Sequence, residues 1–174
     1  IANGRDAIFS NTSGQFNIGL GNQSLYRNTS GNQNTALGPN ALYTNQTGND
    51  NIAIGNNALY NATRSQNVAV GRESLFANNS GNLNTAIGFR ALSNSNAADN
   101  TAIGGNALIT NMTGTSNVAV GVESLFNNFD GNNNTAIGRE ALQQNSDGQN
   151  NTALGYASGS QIISGSNNTS LGAN

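Results

Sequence analysis

Residues 84–92 read Asn84-Thr85-Ala86-Ile87-Gly88-Phe89-Arg90-Ala91-Leu92, and the chain restates this phrase along its whole length. Aligned on the glycine, the register runs Gly4, Gly21, Gly38, Gly55, Gly71, Gly88, Gly104, Gly121, Gly138, Gly155 and Gly172. The interval never drifts: it shortens by a single position only from Gly55 to Gly71 and from Gly88 to Gly104. An Asn stands four residues before every glycine from Gly21 onward, from Asn17 through Asn84 to Asn168. Between the two lie a Thr, Val or Ile, then in most units Ala, then Ile, Leu or Val. Ala or Ser followed by Leu comes three and four residues after the glycine, as at Ala41-Leu42, Ser74-Leu75 and Ser124-Leu125. Self-similarity at a fixed short period is the signature of a repeat architecture.

The unit is too short for a pair of helices, and Asn and Gly punctuate every stretch that could form one. Thr-Ala-Ile and Val-Ala-Val cores favour strand. The reading is therefore all-β: a parallel β-solenoid of 16–17-residue coils. Each coil is expected to hold two short strands, one ending at the register glycine and one carrying Ala-Leu-aromatic. An Asn/Gly-rich loop returns the chain. One inter-strand spacing per coil gives a rod about 48 Å long. Residues 1–155 form the β-roll array, about nine coils, and 156–174 a degenerate last coil leading towards a following segment. There, Tyr156-Ala157-Ser158-Gly159 stands where Ala-Leu belongs. Because the chain begins at Ile1 inside a repeat, it reads as part of a longer one.

This register also accounts for a composition that would otherwise suggest low complexity. The chain has 36 Asn and 22 Gly among 174 residues. A corner glycine takes φ > 0 without Cβ strain, and stacked Asn side chains bond along a ladder. A second glycine follows the first by ten residues in most units, as at Gly14, Gly48 and Gly81. The two 16-residue units carry Ser65 and Ala98 at that offset, so the glycine is expected in a bulge that they lack. Segments 67–88 and 117–138 match at an offset of 50 residues, which points to duplication of a three-coil block.

Composition excludes several classes of chemistry. With no His and no Cys there is no zinc, haem or iron–sulfur site of the usual ligands, no thiol nucleophile and no disulfide framework. All six cations are Arg, so Schiff-base chemistry is absent too. No enzyme and no cofactor is expected. A net charge of −2 with scattered Arg argues against nucleic acid as a partner. No apolar run approaches the roughly 18–20 residues of a membrane span, and no signal peptide is recognisable, so no membrane contact is expected from this segment.

Strand alternation separates two faces. Ala suits a thin interior, with Leu beside it. The branched stripe Leu37, Ile54, Val70, Ile87, Ile103, Val120, Ile137 and Leu154 then lies outside as a continuous apolar band. Such a band predicts self-association along the rod axis, and a closed cyclic oligomer is the default solution. The opposite orientation, branched stripe inside and Ala outside, is the alternative.

The phrase Asn-[Thr/Val]-Ala-[Ile/Val]-Gly-x-x-[Ala/Ser]-Leu resembles the head repeat of trimeric autotransporter adhesins. It resembles still more the longer repeats of bacteriophage-type tail-fibre and related trimeric surface-fibre proteins. The likeness covers nearly the whole chain, although the 17-residue unit is longer than the usual adhesin head repeat. It implies a left-handed parallel β-roll, a homotrimer, and an extracellular place on a cell surface or a virion-like appendage. The function expected on this basis is a fibre segment acting in adhesion or in recognition of a target cell surface. The alternatives are a passive spacer whose binding tip lies elsewhere and an ice-binding solenoid. Against the last, Thr alternates with Ile and Val at 18, 35, 52, 68, 85 and 101, which spoils a flat Thr array.

Candidate binding positions are few. One residue past Leu runs a stripe of larger groups, Phe9, Tyr26, Tyr43, Tyr60, Phe76, Ile109 and Phe126, broken by Ser93 and Gln143. Tyr26, Tyr43, Tyr60, Phe76 and Phe126 either stack a sugar or protein receptor or pack along one another and between protomers. Asp130 and Asp147, like Glu123 and Glu140, fall at equivalent positions in neighbouring coils. Exposed charge on a rod accounts for them better than a metal or an acid–base pair does, and Arg139 offsets Glu140. Asn-x-Ser/Thr sequons at Asn11, Asn28, Asn45, Asn61, Asn78 and Asn111 carry little information in so Asn-rich a chain.

Overall fold

A computed structural model describes residues 1–173 and places one short strand in every coil. In chain order these are β1 (Ala2–Asn3), β2 (Ile18–Leu20), β3 (Thr35–Leu37), β4 (Ile52–Ile54), β5 (Val68–Val70), β6 (Thr85–Ile87), β7 (Thr101–Ile103), β8 (Val118–Val120), β9 (Thr135–Ile137), β10 (Thr152–Leu154) and β11 (Thr169–Leu171). They form one sheet, each strand pairing in parallel with the next. Register follows the repeat: Ala69 lies opposite Ala86, Ala86 opposite Ala102, and Val70 opposite Ile87. The protein is all-β, a β-solenoid of about ten turns.

The middle strand residue points inward. Ala36, Ala53, Ala69, Ala86, Ala102, Ala119 and Ala136 are fully buried and stack into a column. Leu25 to Leu142, one per coil, form a second column beside it, with Ala41, Ser74 or their equivalents between. Branched residues on either side of the strand Ala lie outside, the first of the two orientations.

The second strand expected in each coil is absent. At the Leu of Ala-Leu-aromatic φ lies between 48° and 53° in every coil from Leu25 to Leu142, the left-handed region that no β-strand uses. The residue two after the register glycine is left-handed as well, as at Asn40 (φ 56°), Arg90 (55°) and Glu123 (58°). The segment is a chain of turns: Ala41 N–H donates to Gly38 O at 3.2 Å, and Asn45 N–H to Leu42 O at 3.3 Å. It is still tied to the next coil, because Leu92 N–H donates to Ala107 O (3.0 Å) and Asn94 N–H to Ile109 O (3.1 Å). A left-handed Leu costs about 1–2 kcal/mol. Full burial of that side chain contributes about 1.5–3 kcal/mol, so the strained turn is sustained by its own core contact.

Asparagines replace a sheet on the remaining side. Asn84 Oδ1 accepts the Asn100 backbone N–H (3.0 Å), and Asn84 Nδ2 donates to Ala97 O in the return loop of its coil (2.8 Å). The same bridge recurs along the rod at Asn34, Asn51, Asn67, Asn117, Asn134 and Asn151, all but fully buried. A second column lies three residues before the second glycine. Asn28 Nδ2 donates to Asn11 Oδ1 (2.8 Å), Asn45 Nδ2 to Asn28 Oδ1 (2.9 Å), and Asn145 Nδ2 to Asn128 Oδ1 (2.8 Å). Among the described residues no buried side-chain nitrogen or oxygen lacks a partner.

The second glycine serves close approach, not φ. A Cβ on Gly31 would stand 2.5 Å from Asn28 Oδ1 and meet the Gly48 carbonyl of the next coil. In the short coils its place is taken by Arg64 and Ala97, not by Ser65 and Ala98: Asn51 Nδ2 reaches Arg64 O at 2.8 Å, as Asn34 Nδ2 reaches Gly48 O. The residue lost lies before that position, and the buried Asn is replaced by Ala62 or Ser95. There, with no Asn carboxamide beside it, the position carries a Cβ.

The last coil is complete, with β11 paired to β10. Gly159, at φ 63°, takes the left-handed slot that Leu holds elsewhere. Ile162 packs against the core at that end.

Candidate binding surface

Two stripes on the outside of the rod match the sequence candidates. The first is the strand face. Ile87, Ile103 and Ile137 are 39%, 38% and 40% exposed, Ile54 and Leu154 are exposed, and Leu37, Val70 and Val120 are half-buried. Because β3 to β10 pair in register, these side chains form one unbroken row. A second row of Thr, Val and Ile runs beside it from Ile18 to Thr152, half-buried or exposed.

The second stripe is the aromatic column. Phe9, Tyr26, Tyr43, Tyr60 and Phe76 stack in sequence, with ring centroids 5.4, 5.1, 4.9 and 5.3 Å apart and interplanar angles of 10°, 8°, 0° and 18°. The ring spacing is close to the coil spacing, so each ring rests on the one below, an offset stack worth about 0.5–1.5 kcal/mol per pair. Of the two readings open in the sequence, stacking along the rod is what this geometry displays. Phe126 is not part of the stack; its coil lies between those of Ile109 and Gln143.

The two breaks in the column differ. Gln143 fills its place and donates from Nε2 to Glu123 Oε2 at 3.0 Å. Ser93 leaves a notch of about 410 Å³ between Phe76 and Ile109. On its rim Arg90 Nε donates to Glu73 Oε2 (2.7 Å), and Arg72 holds the other carboxylate oxygen at 3.1 Å. The hydrogen bond from Arg90, helped by that from Arg72 and by the charges of both guanidiniums, holds the Glu73 carboxyl below its usual range against the opposing effect of desolvation. Arg90 also lies 5.2 Å from the Phe89 ring centroid. The sequence pattern locates the break at Ser93 but not the ion pair beside it, since Glu73 and Arg90 sit at equivalent positions of successive coils and become neighbours only on stacking.

Among the described residues no group of three or more carboxylates gathers where it could hold a metal ion. Glu140 pairs with Arg139 at 2.9 Å, and Asp130 accepts from Thr113 Oγ1 at 2.7 Å. The sequon residues Asn28, Asn45, Asn78 and Asn111 are fully buried in the second Asn column, which makes them structural and inaccessible to glycosylation. Their signal in the sequence is the spacing Asn-x-x-Gly, repeated at 28–31, 45–48 and 78–81. No helix of the described residues is long and apolar enough to cross a membrane. No family model, curated protein or solved structure matches this chain.

Proposed function

We propose that this chain is a segment of an extracellular trimeric fibre, acting without catalysis in adhesion to or recognition of a target cell surface. Three copies, each a left-handed coil, associate along the rod through the branched strand face. The observation that carries the reading is the unbroken apolar row on that face. From Leu37 to Leu154 it measures about 34 Å by 10 Å, on the order of 340 Å², within the range of the largest apolar patches on monomers, which are often functional. Its flat, in-register geometry suits a second copy better than an irregular partner, since identical rods offer identical spacing. The aromatic column and its notch lie on another part of each coil and stay available to a surface glycan or protein receptor.

Light scattering after gel filtration tests the assembly: three times the chain mass of 17.8 kDa is expected. A mass of 17.8 kDa across micromolar concentrations would sink it. For the recognition half, binding of the chain to intact target cells is expected to survive removal of neighbouring fibre segments.

A further inference from the structure

We propose that the gap at Ser93 in the aromatic column is a carbohydrate site that takes one pyranose ring against the face of Phe76. The column sets the geometry. Rings below the gap repeat at 4.9–5.4 Å, so omission of one leaves Phe76 and the next large side chain, Ile109, about 10 Å apart across the empty rung. A ring-shaped ligand entering there continues the stack, one face on Phe76 and the other towards Ile109. The notch, about 410 Å³, falls in the range of small-ligand sites.

What surrounds the gap selects the ligand class. Ser93 and Asn94 line it with a hydroxyl and a carboxamide that bond to no other side chain or backbone group among the described residues. Glu73 and Arg90, locked together at 2.7 Å and steadied by Arg72 and by Phe89, set an acceptor and a fork of donors side by side. Adjacent donor and acceptor groups match vicinal hydroxyls, each of which gives one hydrogen bond and takes another. The axial C–H groups of a pyranose form an apolar, weakly positive face that suits the negative face of Phe76. A bare aromatic would satisfy the stack but offer nothing to Ser93 and Asn94 or to the remaining hydrogen-bonding capacity of Glu73 and Arg90. The filled break at Gln143, where a side-chain hydrogen bond replaces the missing ring, is the internal contrast. This inference deepens the recognition half of the proposed function and rests on the branched strand face, not the aromatic one, being the assembly face.

The experiment is protein-observed NMR or calorimetry on the full chain. The probes are methyl β-D-glucopyranoside, methyl β-D-galactopyranoside, methyl α-D-mannopyranoside and N-acetylglucosamine, with p-cresol as the non-sugar control. At least one pyranoside is expected to shift Phe76, Ser93 and Asn94 resonances at millimolar concentration. Ser93→Tyr completes the column, so it is expected to keep the fold and abolish binding. Phe76→Leu is expected to weaken binding roughly fivefold, and Glu73→Gln to weaken it with the fold retained. No response to any pyranoside, a response that persists in Ser93→Tyr, or binding of p-cresol alone would each overturn the assignment. Light scattering on the same samples separates the two ideas: a monomer that binds sugar through this notch overturns the trimer and not the site, and a trimer that binds none does the reverse.

Discussion

One carboxamide in each coil performs the work that a second sheet performs in broader folds. Asn84 accepts from the Asn100 backbone with its oxygen and donates to the Ala97 carbonyl with its nitrogen, all out of water. Truncation strands a buried N–H and a buried C=O together, each costing about 1–3 kcal/mol. Asn84→Ala is therefore expected to lose on the order of 3 kcal/mol in urea denaturation, and Asn84→Asp to recover the acceptor but not the donor. A loss for the Ala variant below about 0.5 kcal/mol, the low end for a single net hydrogen bond, would mean that the ladder is decoration. These asparagines are legible in the sequence alone, because the offset of four from the register glycine admits no exception. The Leu turn is not. Ala-Leu-Ser or Ser-Leu-Phe alternates equally well as a strand and as stacked turns, and nothing in the residue types of 91–93 or 124–126 records the sign of φ at Leu92 or Leu125. Glu73 supplies a pH effect at the same scale. Its pKa falls below the unfolded value of about 4.5, so the stability it contributes is present above that pH and fades as pH drops through the lower, folded value. Glu73→Gln is expected to flatten part of the acid limb of the stability profile on the acid side of about pH 4.5, measured by the denaturation midpoint at each pH. An unchanged acid limb would show the ion pair to be idle.

At the scale of the element, the two short coils expose a linkage among three substitutions. Loss of one residue, replacement of the buried Asn by Ala62 or Ser95, and replacement of glycine by Arg64 or Ala97 occur together in both coils. The physical reason is shared space. In a full coil the Asn carboxamide hydrogen-bonds the glycine backbone, and a Cβ on Gly31 would meet both the Gly48 carbonyl of the next coil and Asn28 Oδ1. Remove the carboxamide and the turn can close one residue sooner with any side chain. The cost is a broken column: Asn45 bonds down to Asn28, but Ala62 offers nothing to it or to Asn78. Replacing Ala62-Thr63-Arg64 with Asn-Gln-Thr-Gly, the sequence at 45–48, restores a full-length coil and joins the two parts of the column. The new Asn brings two buried hydrogen bonds, each worth about 1 kcal/mol net. The thermal midpoint is expected to rise by several degrees, as read by circular dichroism. Glycine alone at Arg64, without the inserted Asn, is expected to lower it. The sequence records the length change and its coincidence with the missing glycine, but an alignment by offset places the gap one residue too late. Only the hydrogen bonds of Asn51 and Asn84 reveal which residue takes the glycine's place.

The whole molecule is a one-dimensional stack, in which each coil touches only the coil before and the coil after it. Every strand-face side chain therefore recurs one coil spacing further on, and a weak preference at one coil is multiplied along the rod. In the proposed trimer, that multiplication makes the apolar row the feature on which assembly turns, and assembly is then expected to be separable from folding. Ile87 and Ile137 sit on β6 and β9, 39% and 40% exposed, outside a core built from Ala and Leu. Three coils separate them, about 14 Å, beyond the Debye length of about 8–10 Å at working salt. Two glutamates placed there do not repel each other strongly within one chain. In a three-chain rod, by contrast, each level brings three carboxylates to one axis away from water, a desolvation cost that no neighbouring cation offsets. The variant Ile87→Glu/Ile137→Glu is thus expected to keep its β-sheet circular dichroism and a thermal transition. Its mass by light scattering is expected to fall from that of three chains to the 17.8 kDa of one. Retention of the larger mass with both glutamates in place would move the assembly surface off the strand face, and the aromatic column would then be the next surface to test. Loss of the β-sheet signal together with the mass would mean instead that a coil this thin folds only in company, the branched row serving as the shared core of three chains.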